Sequence, residues 1–91
     1  MSDVRATLRI ENRLGLHARA AALFVQTVMP FDCDIQVSKD GETVSGRSIM
    51  GLMMLAAGKG SCIRVEATGP DAERAVETIR ALIADKFREG E

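Results

Sequence analysis

His17 is the only histidine of the chain, and it lies in the run Asn12-Arg13-Leu14-Gly15-Leu16-His17-Ala18-Arg19. It stands where a connection becomes a helix. Upstream, Val4, Ala6, Leu8 and Ile10 alternate with Arg5, Thr7 and Arg9, the period-two pattern of a half-buried strand; downstream, residues 18–29 are helix formers stopped by Pro30. A helix N-terminus presents unpaired N–H groups and the positive end of the macrodipole, so it stabilises an anion and disfavours imidazolium. A neutral imidazole keeps a ring lone pair and can act as a nucleophile. Arg19 can fold back to hydrogen-bond a phosphoryl group on the ring, the N–H of Ala18 is a further donor at the helix start, and Gly15 in the loop allows close backbone approach. The competing reading of these residues is a structural or capping histidine.

Composition narrows the field of other functions. The chain has 91 residues, 46% hydrophobic and 27% charged, with a net charge of −1. That length suits a single domain over 1–91, which buries roughly 60–65% of its unfolded surface. With no long basic run and only three aromatics, all Phe, nucleic-acid binding is not expected. The N-terminal stretch lacks an apolar leader, and no apolar run approaches a membrane span, so the reading is cytoplasmic with no membrane partner. Cys33 and Cys62 form no Cys-x-x-Cys, and a zinc site would need carboxylates from elsewhere; the expectation is two buried free thiols and no metal. Residues 56–61 lack the phosphate-loop spacing, leaving Lys59 as a solvated turn residue.

The elements that must position His17 follow from periodicity and turn chemistry. The first helix is apolar around most of its circumference, interrupted by Arg19, Gln26 and Thr27. Cys33, Ile35 and Val37 alternate with polar residues as a second strand, Lys39-Asp40-Gly41 is a turn, and residues 42–45 return as a third strand. Residues 46–55 form a short helix capped by Ser48. In it, Leu52 and Leu55 point inward, while Ile49, Met50 and Met53 are divided between a methionine-filled core and an adaptable contact surface. Residues 62–68 form the last strand, burying Ile63, Val65 and Ala67. After Gly69-Pro70-Asp71, a last helix buries Ala72, Ala75, Val76, Ile79, Leu82, Ile83 and Phe87. Gly90 and Glu91 are expected to fray. This element order equally suits a ferredoxin-like domain, a non-catalytic regulatory or interaction module.

Gly15-Leu16-His17-Ala18-Arg19-Ala20-Ala21 resembles the phosphorylation signature of the HPr family, the histidine phosphocarriers of the bacterial phosphoenolpyruvate-dependent phosphotransferase system. Arg47-Ser48-Ile49-Met50-Gly51-Leu52-Met53 resembles the family's second signature, at the family's spacing. Ala20 stands where the family usually has proline, and Met54 where it usually has serine. The resemblance implies an α+β open-faced sandwich, a four-stranded antiparallel sheet covered on one face by three helices. It further implies a carrier that turns over nothing alone and needs no cofactor. By the same resemblance His17 is implied to accept a phosphoryl group, at Nδ1 as in the family, from enzyme I and to pass it to an enzyme IIA domain. Ser48 is implied as the target of an HPr kinase/phosphorylase, and Ile49, Met50 and Met53 as the docking patch of a monomeric protein.

Overall fold

A computed structural model describes residues 2–89, so the expected fraying of Gly90 and Glu91 lies outside the described residues. The elements are β1 (Ser2–Arg9), α1 (Ala18–Val28), β2 (Asp34–Lys39), β3 (Glu42–Ser45), α2 (Ile49–Met54), β4 (Cys62–Gly69) and α3 (Ala72–Ala84), followed by a tight turn at Lys86–Arg88. The four strands form one sheet in the order β1-β4-β2-β3, every neighbouring pair antiparallel. A ferredoxin-like sheet would set the first and third strands side by side at its centre. Here β4 and β2 are central and β1 and β3 are edges, so the open-faced sandwich is the observed architecture.

Local chemistry accounts for the pairing. Asp40 and Gly41 have φ of 51° and 86°, and two positive φ values in a two-residue loop make the mirror-image turn whose twist matches that of the strands it joins. Along β4 burial alternates, with Ile63, Val65 and Ala67 inward and Arg64 outward, because successive side chains point to opposite faces of a sheet. The covered face is packed by Ala20, Ala21, Phe24 and Val28 of α1, Leu52 of α2, and the apolar stripe of α3. That stripe is the one read from the sequence as far as Ile83; Phe87, read as part of the same helix, is buried at 2% exposure but lies beyond the helix end, where the backbone turns to positive φ.

The cysteines depart from the sequence reading. Cys33 and Cys62 are free, but Cys33 is half-buried and Cys62 exposed. Cys62 precedes Ile63 in the strand, so the two-residue period that buries Ile63 sends the thiol to solvent. Partial burial pushes the Cys33 thiol above its ordinary range, against the opposing pull of the Arg47 guanidinium, which leaves it a poor nucleophile. Asp71 stands at the start of α3 but does not cap it; its carboxylate accepts instead from the Asp32 N–H at 2.8 Å and from Arg74 at 3.2 Å, tying the helix start to the segment before β2.

Candidate functional site

The loop between β1 and α1 is held by backbone contacts that depend on Gly15. Its φ is +65°, and a Cβ there would lie 2.3 Å from the Ala57 carbonyl oxygen and 2.8 Å from Gly58 Cα. The close approach is therefore to the loop after α2. The Leu16 N–H donates to the Ala57 carbonyl at 2.9 Å, and Leu16 itself is buried. One residue later the chain enters α1 with His17 at the N-cap position in extended conformation, φ −73° and ψ 178°. The His17 ring makes no capping bond to the helix, which removes the capping-histidine alternative. The first helical bond runs from the Ala21 N–H to the His17 carbonyl at 2.9 Å, leaving the N–H groups of Ala18, Arg19 and Ala20 without a helical acceptor.

The ring opens into a cleft of about 320 Å³ lined by Arg13, Leu14, His17, Arg19 and Glu89. The His17 side chain is 28% exposed, enough for a partner to reach it. Arg13, Leu14 and Glu89 had no assigned role in the sequence reading, and neither had Asn12. Glu89 Oε2 pairs with His17 Nε2, while Oε1 accepts from Asn12 Nδ2 at 3.0 Å. Asn12, fully buried, also donates from Nδ2 to the Gly15 carbonyl at 2.9 Å, so the amide links the loop backbone to the carboxylate beside the ring. Burial works to raise the Glu89 carboxyl. Hydrogen bonds from Asn12 and His17, with the charges of His17 and Arg19, outweigh it and hold the group below its usual range.

A second cluster lies around α2. Ser48 is its N-cap, φ −110° and ψ 110°, and its Oγ accepts from the Gly51 N–H at 2.9 Å. A Cβ at Gly51 would come within 3.0 Å of Ser48 Oγ and of Val44 Cβ, which explains a glycine inside so short a helix. Arg47 does not project toward solvent ahead of the serine. Its guanidinium donates to the carbonyls of Cys33 at 2.8 Å, Phe31 at 2.8 Å and Val28 at 3.2 Å, clamping the end of α1 to the segment before β2. Leu52 and Leu55 are buried, whereas Ile49, Met50 and Met53 are 41%, 69% and 39% exposed. Leu14 and Met54 are exposed as well, and Leu14 shares a smaller cleft with His17 and the loop after α2. Among the described residues no group of three or more His, Cys, Asp or Glu side chains is placed to hold a metal ion, and no helix is long and apolar enough to cross a membrane.

A lone histidine opening into an arginine-lined cleft at a helix start, joined by its loop to a second capped helix, is an arrangement with known counterparts. Residues 4–85 match the family model described as the PTS HPr component phosphorylation site. The chain belongs to the HPr family. The phosphocarrier protein HPr of Cupriavidus necator is 49% identical over 82 residues, covering 90% of this chain and 92% of that protein. HPr of Neisseria meningitidis serogroup A is 46% identical over 88 residues, 97% of this chain and 99% of its own. The crystal structure of HPr-C-His from Thermoanaerobacter tengcongensis superposes with a TM-score of 0.88 at 45% identity, covering 98% of both chains. As a member of this family, the protein is a phosphocarrier that moves a phosphoryl group from enzyme I to an enzyme IIA domain by way of a histidine, and it is not itself a catalyst of turnover.

Proposed function

We propose that His17 is the residue that carries the phosphoryl group, with Arg19, the Ala18 N–H and the Gly15 loop as its immediate setting. The observation that supports this reading best is that the ring leaves helix capping aside and faces a cleft it shares with Arg19. A carrier must hold its cargo firmly enough to diffuse with it and loosely enough to surrender it. A few backbone donors and a guanidinium suit that requirement better than a dense cationic cage. In-line transfer depends mainly on positioning and electrostatics, much of which the partner supplies. A shuttle of this kind is expected to work as a cytoplasmic monomer. Incubation with enzyme I and phosphoenolpyruvate should add one acid-labile, alkali-stable phosphate per chain; an acid-stable product would contradict a phosphohistidine.

Ile49, Met50 and Met53 form the proposed docking patch, and their exposure beside the buried Leu52 and Leu55 supports it. Met50→Glu is expected to weaken enzyme I binding about tenfold, the scale of a truncated interface contact, while the melting temperature moves by no more than a few degrees. Calorimetric titration beside thermal denaturation separates the two effects. A large drop in melting temperature with unchanged affinity would make Met50 a packing residue only.

Ser48 is the proposed regulatory site, modified by an HPr kinase/phosphorylase. Because the Arg47 guanidinium is engaged by three carbonyls, recognition of the serine would rest on its position and on the apolar residues after it. A phosphate there adds about −1.5 to −2 charge next to the positive end of α2, which the helix tolerates. The same charge sits beside the docking patch and must be desolvated when a partner binds. Ser48→Asp is therefore expected to slow phosphorylation by enzyme I about tenfold with circular dichroism unchanged. Transfer at the wild-type rate would reduce Ser48 to a helix cap.

A further inference from the structure

Resting on the carrier reading of His17, we infer that Glu89 is a positioning residue of the phosphorylation site: its carboxylate holds the imidazole as the Nε2–H tautomer, so that Nδ1 keeps the lone pair that attacks phosphorus. An ionised carboxylate only accepts hydrogen bonds. Glu89 Oε1 receives one from Asn12 Nδ2 at 3.0 Å, and Oε2 faces His17 Nε2. In the neutral ring the nitrogen facing the carboxylate therefore carries the hydrogen, and Nδ1 is left as the acceptor. The donors that keep Glu89 ionised against the cost of its burial are the same ones that fix this geometry.

The carboxylate is built into place. Its side chain is 8% exposed, and its main donor, Asn12, is fully buried and anchored in turn to the Gly15 carbonyl. Glu89 reaches the ring because Lys86, Phe87 and Arg88 have φ of 53°, 53° and 62°, a left-handed run that reverses the chain after α3. L-residues adopt that conformation reluctantly. Buried Phe87 fixes the reversal from the core side, and the contacts of Glu89 with Asn12 and His17 fix it from the site.

In the transfer, the Nδ1 lone pair forms a bond to phosphorus while the bond from phosphorus to the donor atom on enzyme I breaks, its electron pair leaving with the donor. The ring keeps its Nε2 hydrogen and becomes a cation, with the Glu89 carboxylate against it. No proton has to leave the imidazole, and the reverse sequence delivers the group to the acceptor. The carboxylate thus orients the ring in the way that the buried aspartate of a serine-protease triad orients its histidine.

Nitrogen-15 NMR of the full chain, recorded in the alkaline range where the ring shifts no longer change with pH, reads the tautomer directly. The wild-type ring is expected to be mainly Nε2–H, and a ring found mainly as Nδ1–H overturns the inference without any variant. In Glu89→Ala the tautomers should mix and kcat for phosphorylation by enzyme I should fall about tenfold with KM unchanged, the scale on which loss of a partner that orients a histidine is felt. Glu89→Gln, whose amide oxygen still accepts, should restore the tautomer and part of the rate. Wild-type tautomer and rate in Glu89→Ala, or equal losses in both variants with the tautomer unmoved, would make Glu89 a structural residue only. Because the tautomer is read without enzyme I, a wild type that takes up no phosphate counts against the carrier reading and not against the hold of Glu89 on the ring.

Discussion

His17→Ala, incubated with enzyme I and phosphoenolpyruvate, should take up no phosphate and pass none to an enzyme IIA domain. The substitution removes the chain's single imidazole, and with it the lone pair to which the phosphoryl group would bind. The fold should survive. The ring is 28% exposed, caps nothing, and its named partner is Glu89, whose other oxygen keeps its bond from Asn12. The melting temperature is accordingly expected within a few degrees of the wild type, which makes loss of labelling a statement about chemistry. Arg19→Ala completes the test: its guanidinium lines the cleft, so labelling should persist but slow by roughly 10²-fold, as for removal of one donor to a developing charge. Labelling of His17→Ala at the wild-type level would overturn the assignment of the carrier residue.

Gly15→Ala should be the most destabilising single-methyl change in the loop, by about 3 kcal/mol. Two independent costs combine. A φ of +65° is disfavoured for an L-residue by roughly 1–2 kcal/mol, and forcing a methyl into filled space costs typically 1–3 kcal/mol. The obstruction here is backbone, the Ala57 carbonyl at 2.3 Å and Gly58 Cα at 2.8 Å, so no side chain can swing aside to relieve it. Because the adjacent Leu16 N–H bonds to the same Ala57 carbonyl, any adjustment should displace His17 and slow phosphorylation as well. Urea denaturation and the transfer assay read the two consequences separately. Unchanged stability would show that the loop has room the contacts do not suggest.

Features encoded within a few residues of one another are legible in the chain alone. Alternation of apolar and polar side chains set out the strands, and the 3.6-residue stripe from Ala72 to Ile83 marked the buried face of α3. Ser48 was legible as a helix cap because a hydroxyl before a helix start has a local partner, here the Gly51 N–H three residues on. Asp40-Gly41 announced its hairpin for the same reason. The outward set of Ile49, Met50 and Met53 was left open by spacing alone, since exposure depends on what packs against a helix; the structure decided it by placing Leu52 and Leu55 toward the core. The same dependence explains the sheet order, which the element order left equally compatible with a ferredoxin-like arrangement.

Only the tertiary structure could bring Glu89 to His17, across 72 positions of chain. Nothing in Lys86-Phe87-Arg88 signals a left-handed reversal, because no glycine or asparagine marks it; burial of Phe87 against the core imposes it. Arg47, read from sequence as a basic neighbour of Ser48, turned inward once folding brought three carbonyls within reach of one guanidinium. Asn12 was part of the run around the histidine, yet its amide has meaning only when a buried carboxylate lies opposite. Local propensity selects conformations residue by residue, whereas a buried polar group is committed by whichever partner the packed chain supplies, and that partner is invisible until the layers close.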